Sequence, residues 1–159
     1  MKKNISLLLL FTILSTFPVI ATAAEQSPQA LTITVSGQAP NESQIPRSPY
    51  FQGKTVMVPL RSVAEALGYT VSWDEKTQTV SVEMDIQTAT LSENSAEAVI
   101  HGKLKIIDLS RTETLPATTV IHDGRTYVPL EFFEFFFNDV SVDQENGIVS
   151  ISPSMCEIQ

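Results

Sequence analysis

The chain repeats itself. Gly53-Lys54-Thr55-Val56-Met57-Val58-Pro59-Leu60 recurs, one residue shorter, as Gly124-Arg125-Thr126-Tyr127-Val128-Pro129-Leu130, with Pro59 and Pro129 70 residues apart. The agreement then continues in order as helix, terminator, strand, polar turn and strand. Gly68 aligns with Asn138, and Val71, Trp73 and Asp74 align with Val140, Val142 and Asp143. Val80-Ser81-Val82 aligns with Val149-Ser150-Ile151. Ordered agreement of this kind marks a duplicated supersecondary unit. Each unit of about 60 residues holds too little apolar material for a core of its own. The two are therefore expected to form one body.

Within the first unit the hydrophobic period is readable. Leu31, Ile33 and Val35 alternate on one face of a strand, and Val56-Met57-Val58 is a short strand before Pro59. From Leu60 the period changes: Leu60, Val63, Ala64 and Leu67 share one face of a two-turn helix. Pro59 suits the helix start, and Gly68 suits the left-handed position that ends it. Arg61 and Glu65, four apart, can pair weakly on the outer face. Two strands follow, Tyr69 to Trp73 and Thr79 to Val82, joined by the polar turn Asp74-Glu75-Lys76-Thr77-Gln78. Val71 and Trp73 are expected on the buried side, with Trp73 packed against Val63 and Leu67. Further on, Ala98 to His101 and Leu104 to Asp108 read as a hairpin turning at Gly102, and Asp123-Gly124 is a strong hairpin signal. Gly37 to Pro49, with Pro40, Pro46 and Pro49, and Ser110 to Thr119, with Pro116, read as loops.

The chain opens Met1-Lys2-Lys3-Asn4, runs without charge from Ile5 to Ile20, and reaches Ala21-Thr22-Ala23-Ala24. A basic start, an apolar core and a small-x-small site read as a signal peptide over residues 1–23, cut after Ala23 or Ala24. The apolar run is short for a membrane span. The mature protein is expected to be secreted or cell-surface associated, with no membrane span after cleavage. Cys156, the single cysteine, then has no intramolecular partner, which leaves a free thiol near the end of the chain or an intermolecular bridge.

Charge and composition exclude several functions. Of 159 residues, 18 are acidic and 10 basic, a formal net charge of -8; removing Lys2 and Lys3 takes it to -10. Nucleic acid is not an expected partner, because its phosphates need a cationic surface. Two histidines, His101 and His122, each beside a glycine-containing turn, and one cysteine are thin material for a metal centre or a nucleophilic triad. Glu131 and Glu134 lie side by side on a helix and read as solvating charge rather than as the paired carboxylates of a glycosidase. Asp74-Glu75 and Asp143 with Glu145 sit in turns and lack the ligand density of a calcium loop. Asn41-Glu42-Ser43 matches a glycosylation acceptor and carries little weight. No catalytic residue, metal or cofactor is expected.

The run Val58-Pro59-Leu60-Arg61-Ser62-Val63-Ala64-Glu65-Ala66-Leu67-Gly68-Tyr69-Thr70-Val71-Ser72-Trp73-Asp74 closely resembles the stalk domain, also called the copper amine oxidase N-terminal-like domain, of exported proteins in Gram-positive bacteria. The second unit keeps Gly124 and Val128-Pro129-Leu130 but has Glu131 in place of a basic residue and phenylalanines in place of small ones. The resemblance implies an α+β fold of two pseudo-repeated units, each of short antiparallel strands curled around a two-turn helix. The first is placed at residues 30–84 and the second at 85–152, between flexible segments at 24–29 and 153–159. It implies neither copper nor amine oxidation, which belong to a separate catalytic domain in the namesake enzymes.

The second helix departs from that pattern. Phe132, Phe133, Phe135, Phe136 and Phe137 crowd it. At about 100° per residue, Phe133 and Phe137 fall where Val63 and Leu67 fall in the first helix and read as core. Phe132 and Phe136 fall where the first helix has Ser62 and Ala66, and widen the apolar face. Either the other half of the chain covers that face, or Phe132 and Phe136, with Phe135, form a partner or dimer surface. The expected function is a noncatalytic extracellular module that binds a protein or cell-wall polymer, with homodimerisation open. The alternative is a secreted inhibitor of an extracellular protease or other hydrolase, for which the proline-containing loop from Gly37 to Pro49 is compatible material.

Overall fold

The computed structural model describes residues 30–39, 48–103 and 110–154. The leader, the 24–29 tail, the strand expected at Leu104 to Asp108, most of the Gly37 to Pro49 loop and Cys156 lie outside the described residues.

Twelve strands, one α-helix and one 3-10 helix make up the described chain, in an α+β fold of two similar strand-and-helix units. The first unit runs β2 (Tyr50–Gln52), β3 (Thr55–Pro59), α1 (Leu60–Ala66), β4 (Thr70–Asp74) and β5 (Thr79–Glu83). The second repeats it as β9 (Val120–His122), β10 (Arg125–Pro129), a 3-10 helix (Leu130–Phe136), β11 (Asn138–Asp143) and β12 (Ile148–Pro153). Between them lie β6 (Gln87–Ser92), β7 (Glu97–Gly102) and β8 (Arg111–Thr114), and β1 (Thr32–Val35) precedes both.

The repeat is also a symmetry. In the central sheet, ordered β2-β3-β10-β9, Val58 stands opposite Val128, with Met57 opposite Pro129 and Pro59 opposite Tyr127 in an antiparallel pair. Equivalent residues facing each other place a pseudo-twofold axis between the two valines. The outer hairpins obey the same relation: Gln52 pairs with Thr55, and His122 with Arg125. Gly53 therefore corresponds to Asp123 and not to Gly124, and the one-residue shortening read from the glycines is absent from these strands. It falls after the helix, where Asp74 corresponds to Asp143.

The helices tie the halves together. α1 packs on β10 of the other unit as well as on β4, and the 3-10 helix packs on β3 as well as on β11. Leu60, Val63 and Ala64 from α1 join Val58, Val128, Phe132, Phe133 and Phe136 in one buried cluster. The flanking sheets also cross between units. β1 adds parallel to β12, while β6, β7 and β8 extend the sheet that begins β4-β5. The boundary expected between residues 84 and 85 therefore runs through a sheet, because β5 and β6 are hydrogen-bonded neighbours. The loop expected from Ser110 to Thr119 contains β8, an exposed edge strand of Arg111, Thr112, Glu113 and Thr114, whose polar composition carries no alternation to read.

The second helix is wound differently from the first. α1 ends in a Schellman arrangement: Tyr69 N–H donates to Ala64 O, Gly68 N–H donates to Glu65 O, and Gly68 takes φ +83°. The 3-10 helix turns about 120° per residue, so residues three apart eclipse. Leu130, Phe133 and Phe136 are accordingly all buried, while Glu134 and Phe137 are exposed and Glu131 is half-buried. Phe137, expected in the core on α-helical spacing, lies on the polar side at 57% exposure and itself takes the left-handed conformation, φ 57°. Asn138, expected as the left-handed cap, is the buried first residue of β11. Its amide donates to Phe133 O at 2.9 Å and to Phe136 O at 3.2 Å, satisfying the end of the helix from the side.

Candidate functional site

Trp73, expected in the core, lies outside it, and the residue is 41% exposed. It projects from β4, the edge strand of its sheet, opposite Val80. Cover has to come from α1, and the residues α1 turns that way, Ser62 and Ala66, are small. The result is a cleft of about 790 Å³ between the two units. Its walls are Arg61, Ser62, Glu65 and Ala66 of α1, Val71, Trp73 and Val80 of β4 and β5, and Ile121, Gly124, Arg125 and Thr126 of the β9–β10 hairpin. That volume lies in the range of ligand-binding clefts, about 300–1,000 Å³.

The polar groups of the cleft are few. Arg61 Nη1 lies 3.8 Å from Glu65 Oε1, and both side chains are more than half exposed, so water weakens the pair. Arg125 is half-buried on β10, and among the described residues no carboxylate forms an ion pair with it. The cleft thus joins an apolar floor of Val71, Trp73, Val80 and Ile121 to two guanidinium groups and one carboxylate. An apolar floor with a few placed charged groups is the make-up of a binding cleft.

The phenylalanines nominated from the sequence do not form a surface. Phe132 is 0% and Phe136 1% exposed, and Phe135 is half-buried. Tyr69 of the first unit stacks on Phe136 with ring centroids 5.4 Å apart, and the Gln87 side chain donates to Phe135 O. Phe132 meets Phe133, Phe135 and Phe136 edge-on or tilted. The surplus apolar face is covered from within the chain. The aligned helices did mark the relevant positions, but through the unit with the small residues: Ser62 and Ala66 line an opening where Phe132 and Phe136 fill space.

The other candidates are dispersed. His101, on β7, has Nδ1 3.0 Å from Ser110 Oγ, whereas His122 ends β9 with Nε2 3.6 Å from Asp123 Oδ2. Asp74 Oδ1 accepts from the Lys76 and Thr77 backbone, and Asp143 Oδ1 accepts from Glu145 and Asn146 in the equivalent turn. Hydrogen bonds from the Asn146 side chain and then its backbone hold the Asp143 carboxyl below its usual range. These carboxylates build turns. Among the described residues no three histidines, cysteines or carboxylates are grouped to hold a metal ion. Among the described residues, no helix is long and apolar enough to cross a membrane.

The family described as copper amine oxidase N-terminal domain matches residues 35–151. A protein from Brevibacillus choshinensis named "Protease inhibitor" is 29% identical over 119 residues, covering 72% of this chain and 32% of its own length. The chain therefore spans about a third of that relative. No solved structure matches.

Proposed function

The chain belongs to the copper amine oxidase N-terminal domain family, and we propose that it is an exported, noncatalytic protein that binds and inhibits an extracellular protease. The domain is noncatalytic: it corresponds to the N-terminal module named by the family. The observation that carries the inhibitory reading is the similarity, over 119 residues and 72% of this chain, to the Brevibacillus choshinensis protein named "Protease inhibitor". Two features support it. The cleft between the units offers a binding surface, and the helices that pack across both units tie its walls to one buried core, so less entropy is lost on binding.

The test is inhibition by the purified chain of extracellular endopeptidases of the serine, metallo and thiol classes, at substoichiometric to tenfold excess. Saturable inhibition of one class, with the chain recovered uncut, is the expected result. If no class is inhibited and the chain instead sediments with washed cell envelopes, the protein is an envelope-binding module and the inhibitory reading fails.

A further inference from the structure

We infer that the cleft around Trp73 is a docking groove for an extended polypeptide segment that carries acidic side chains beside apolar ones. This deepens the reading above and rests on its premise that the partner is a polypeptide. Three observations converge on it.

The first is asymmetry within a duplicated body. Each helix lies over the hairpin of the opposite unit, so the two halves present the same frame. The second unit places Phe132 and Phe136 where the first places Ser62 and Ala66, and both rings are fully buried. In the first unit, the small residues leave Trp73 uncovered at 41% exposure. A tryptophan half out of the core is a large rigid anchor of the kind that dominates binding energy.

The second is the backbone. Side chains of β4 and β9 both line the cleft, and each of these is the last strand of its sheet. Edge strands present unpaired N–H and C=O groups, and an extended segment satisfies them by adding as a strand. A glycan or a compact globular face lacks that complement.

The third is charge. The chain carries a net charge of -8, yet its cleft holds Arg61 and Arg125 against the single carboxylate of Glu65. Arg125, half-buried beside the apolar floor, favours a carboxylate, which a guanidinium binds in bidentate geometry. In an extended segment, side chains alternate between faces about every 3.3 Å. An acidic residue can therefore meet an arginine while its neighbours pack on Trp73 or pair along an edge.

Trp73 is the single tryptophan, so its fluorescence reports on the cleft directly. The probe is a capped hexapeptide alternating aspartate and leucine, titrated into the full chain beside a lysine–leucine counterpart and soluble peptidoglycan fragments. The expected result is a saturable change with the aspartate peptide, at least tenfold weaker with the lysine peptide. The variant Arg125→Glu should lose about tenfold or more in affinity for the aspartate peptide at an unchanged melting temperature, and should gain the lysine peptide. Calorimetry on Trp73→Ala, which stays folded because the ring is not core, should show binding abolished. Equal binding of both peptides, binding unaffected by Arg125→Glu, preference for the glycan fragments, or concentration-dependent dimerisation that buries Trp73 would each overturn the proposal. Protease inhibition separates the two readings. Inhibition that survives Arg125→Glu and Trp73→Ala retains the inhibitor and removes the groove, whereas peptide binding without inhibition retains the groove and removes the inhibitor.

Discussion

Tyr69 and Asn138 occupy equivalent places in the two units, and they hydrogen-bond to each other across the pseudo-twofold axis, with Asn138 Nδ2 3.0 Å from Tyr69 Oη. Each is the residue that follows the left-handed position after its helix, Gly68 in one unit and Phe137 in the other. The duplication has diverged at this point to make a joint. One copy supplies a ring that stacks on Phe136, and the other supplies a buried amide that also holds the carbonyls of Phe133 and Phe136.

That joint predicts the effect of removing the amide. Asn138→Ala leaves two buried helix-end carbonyls and a half-buried phenol short of a partner, and an unsatisfied buried polar group costs about 1–3 kcal/mol. The variant should lose roughly 2–4 kcal/mol in urea unfolding, with the slope of the transition unchanged. A loss below 0.5 kcal/mol, by the ordinary scatter of surface substitutions, would show that water replaces the amide and that the joint is not structural.

The same contact predicts a dependence on pH. Burial raises the pKa of Tyr69 above its ordinary value of 10.0, and the hydrogen bond from Asn138 offsets part of that rise. Burial, and then the neighbouring Tyr127, raise Tyr50 as well. A raised folded-state pKa means that the folded protein holds the proton more tightly than the unfolded chain. The stabilisation is full below the unfolded value near pH 10 and is lost as the pH climbs through the folded value. Stability measured from pH 8 to 11.5 should be level and then fall. Tyr69→Phe should start lower and fall less steeply, and an unchanged slope would assign the decline to other groups.

Much of this architecture is legible in the residues, and the failures share a cause. The Pro59 and Pro129 starts, the Asp74 and Asp143 turns and the α1 core face each depend on local chemistry that a residue carries with it. The misplacements arise where winding or neighbours decide. Phe137 reads as core at about 100° per residue and as surface at about 120°, and the five aromatic rings do not announce which winding packs them best. Period-2 alternation puts Trp73 and Val71 on one side of β4, but it cannot tell whether that side is covered. That depends on α1, where Ser62 and Ala66 are too small to cover it.

The buried rings should therefore behave as core. Phe132→Ser and Phe136→Ala should each cost about 3–5 kcal/mol, and together they should consume most of the 5–15 kcal/mol available to a domain of this kind. Each single variant should melt well below the parent with its oligomeric state unchanged, and the double variant should be largely unfolded by circular dichroism. Retention of the melting temperature with loss of a dimer would instead restore these rings as an interface.

The two left-handed residues give the last prediction, because they invert each other. Gly68 takes φ +83° without strain, and a Cβ placed there meets nothing within 4 Å, so the cost of Gly68→Ala comes from the backbone alone. Phe137 holds φ 57° with a side chain, a conformation that costs an L-residue about 1–2 kcal/mol. Its ring, 57% exposed, recovers only part of that by packing. Gly68→Ala should therefore destabilise the protein by about 1 kcal/mol, while Phe137→Gly should stabilise it by up to ~1 kcal/mol after the added freedom of the unfolded chain is counted. Paired urea denaturation curves decide the matter. Destabilisation by both substitutions would mean that the Phe137 ring contributes more through contact than its backbone loses, and that the second helix is closed by a side chain rather than by tolerance of a strained residue.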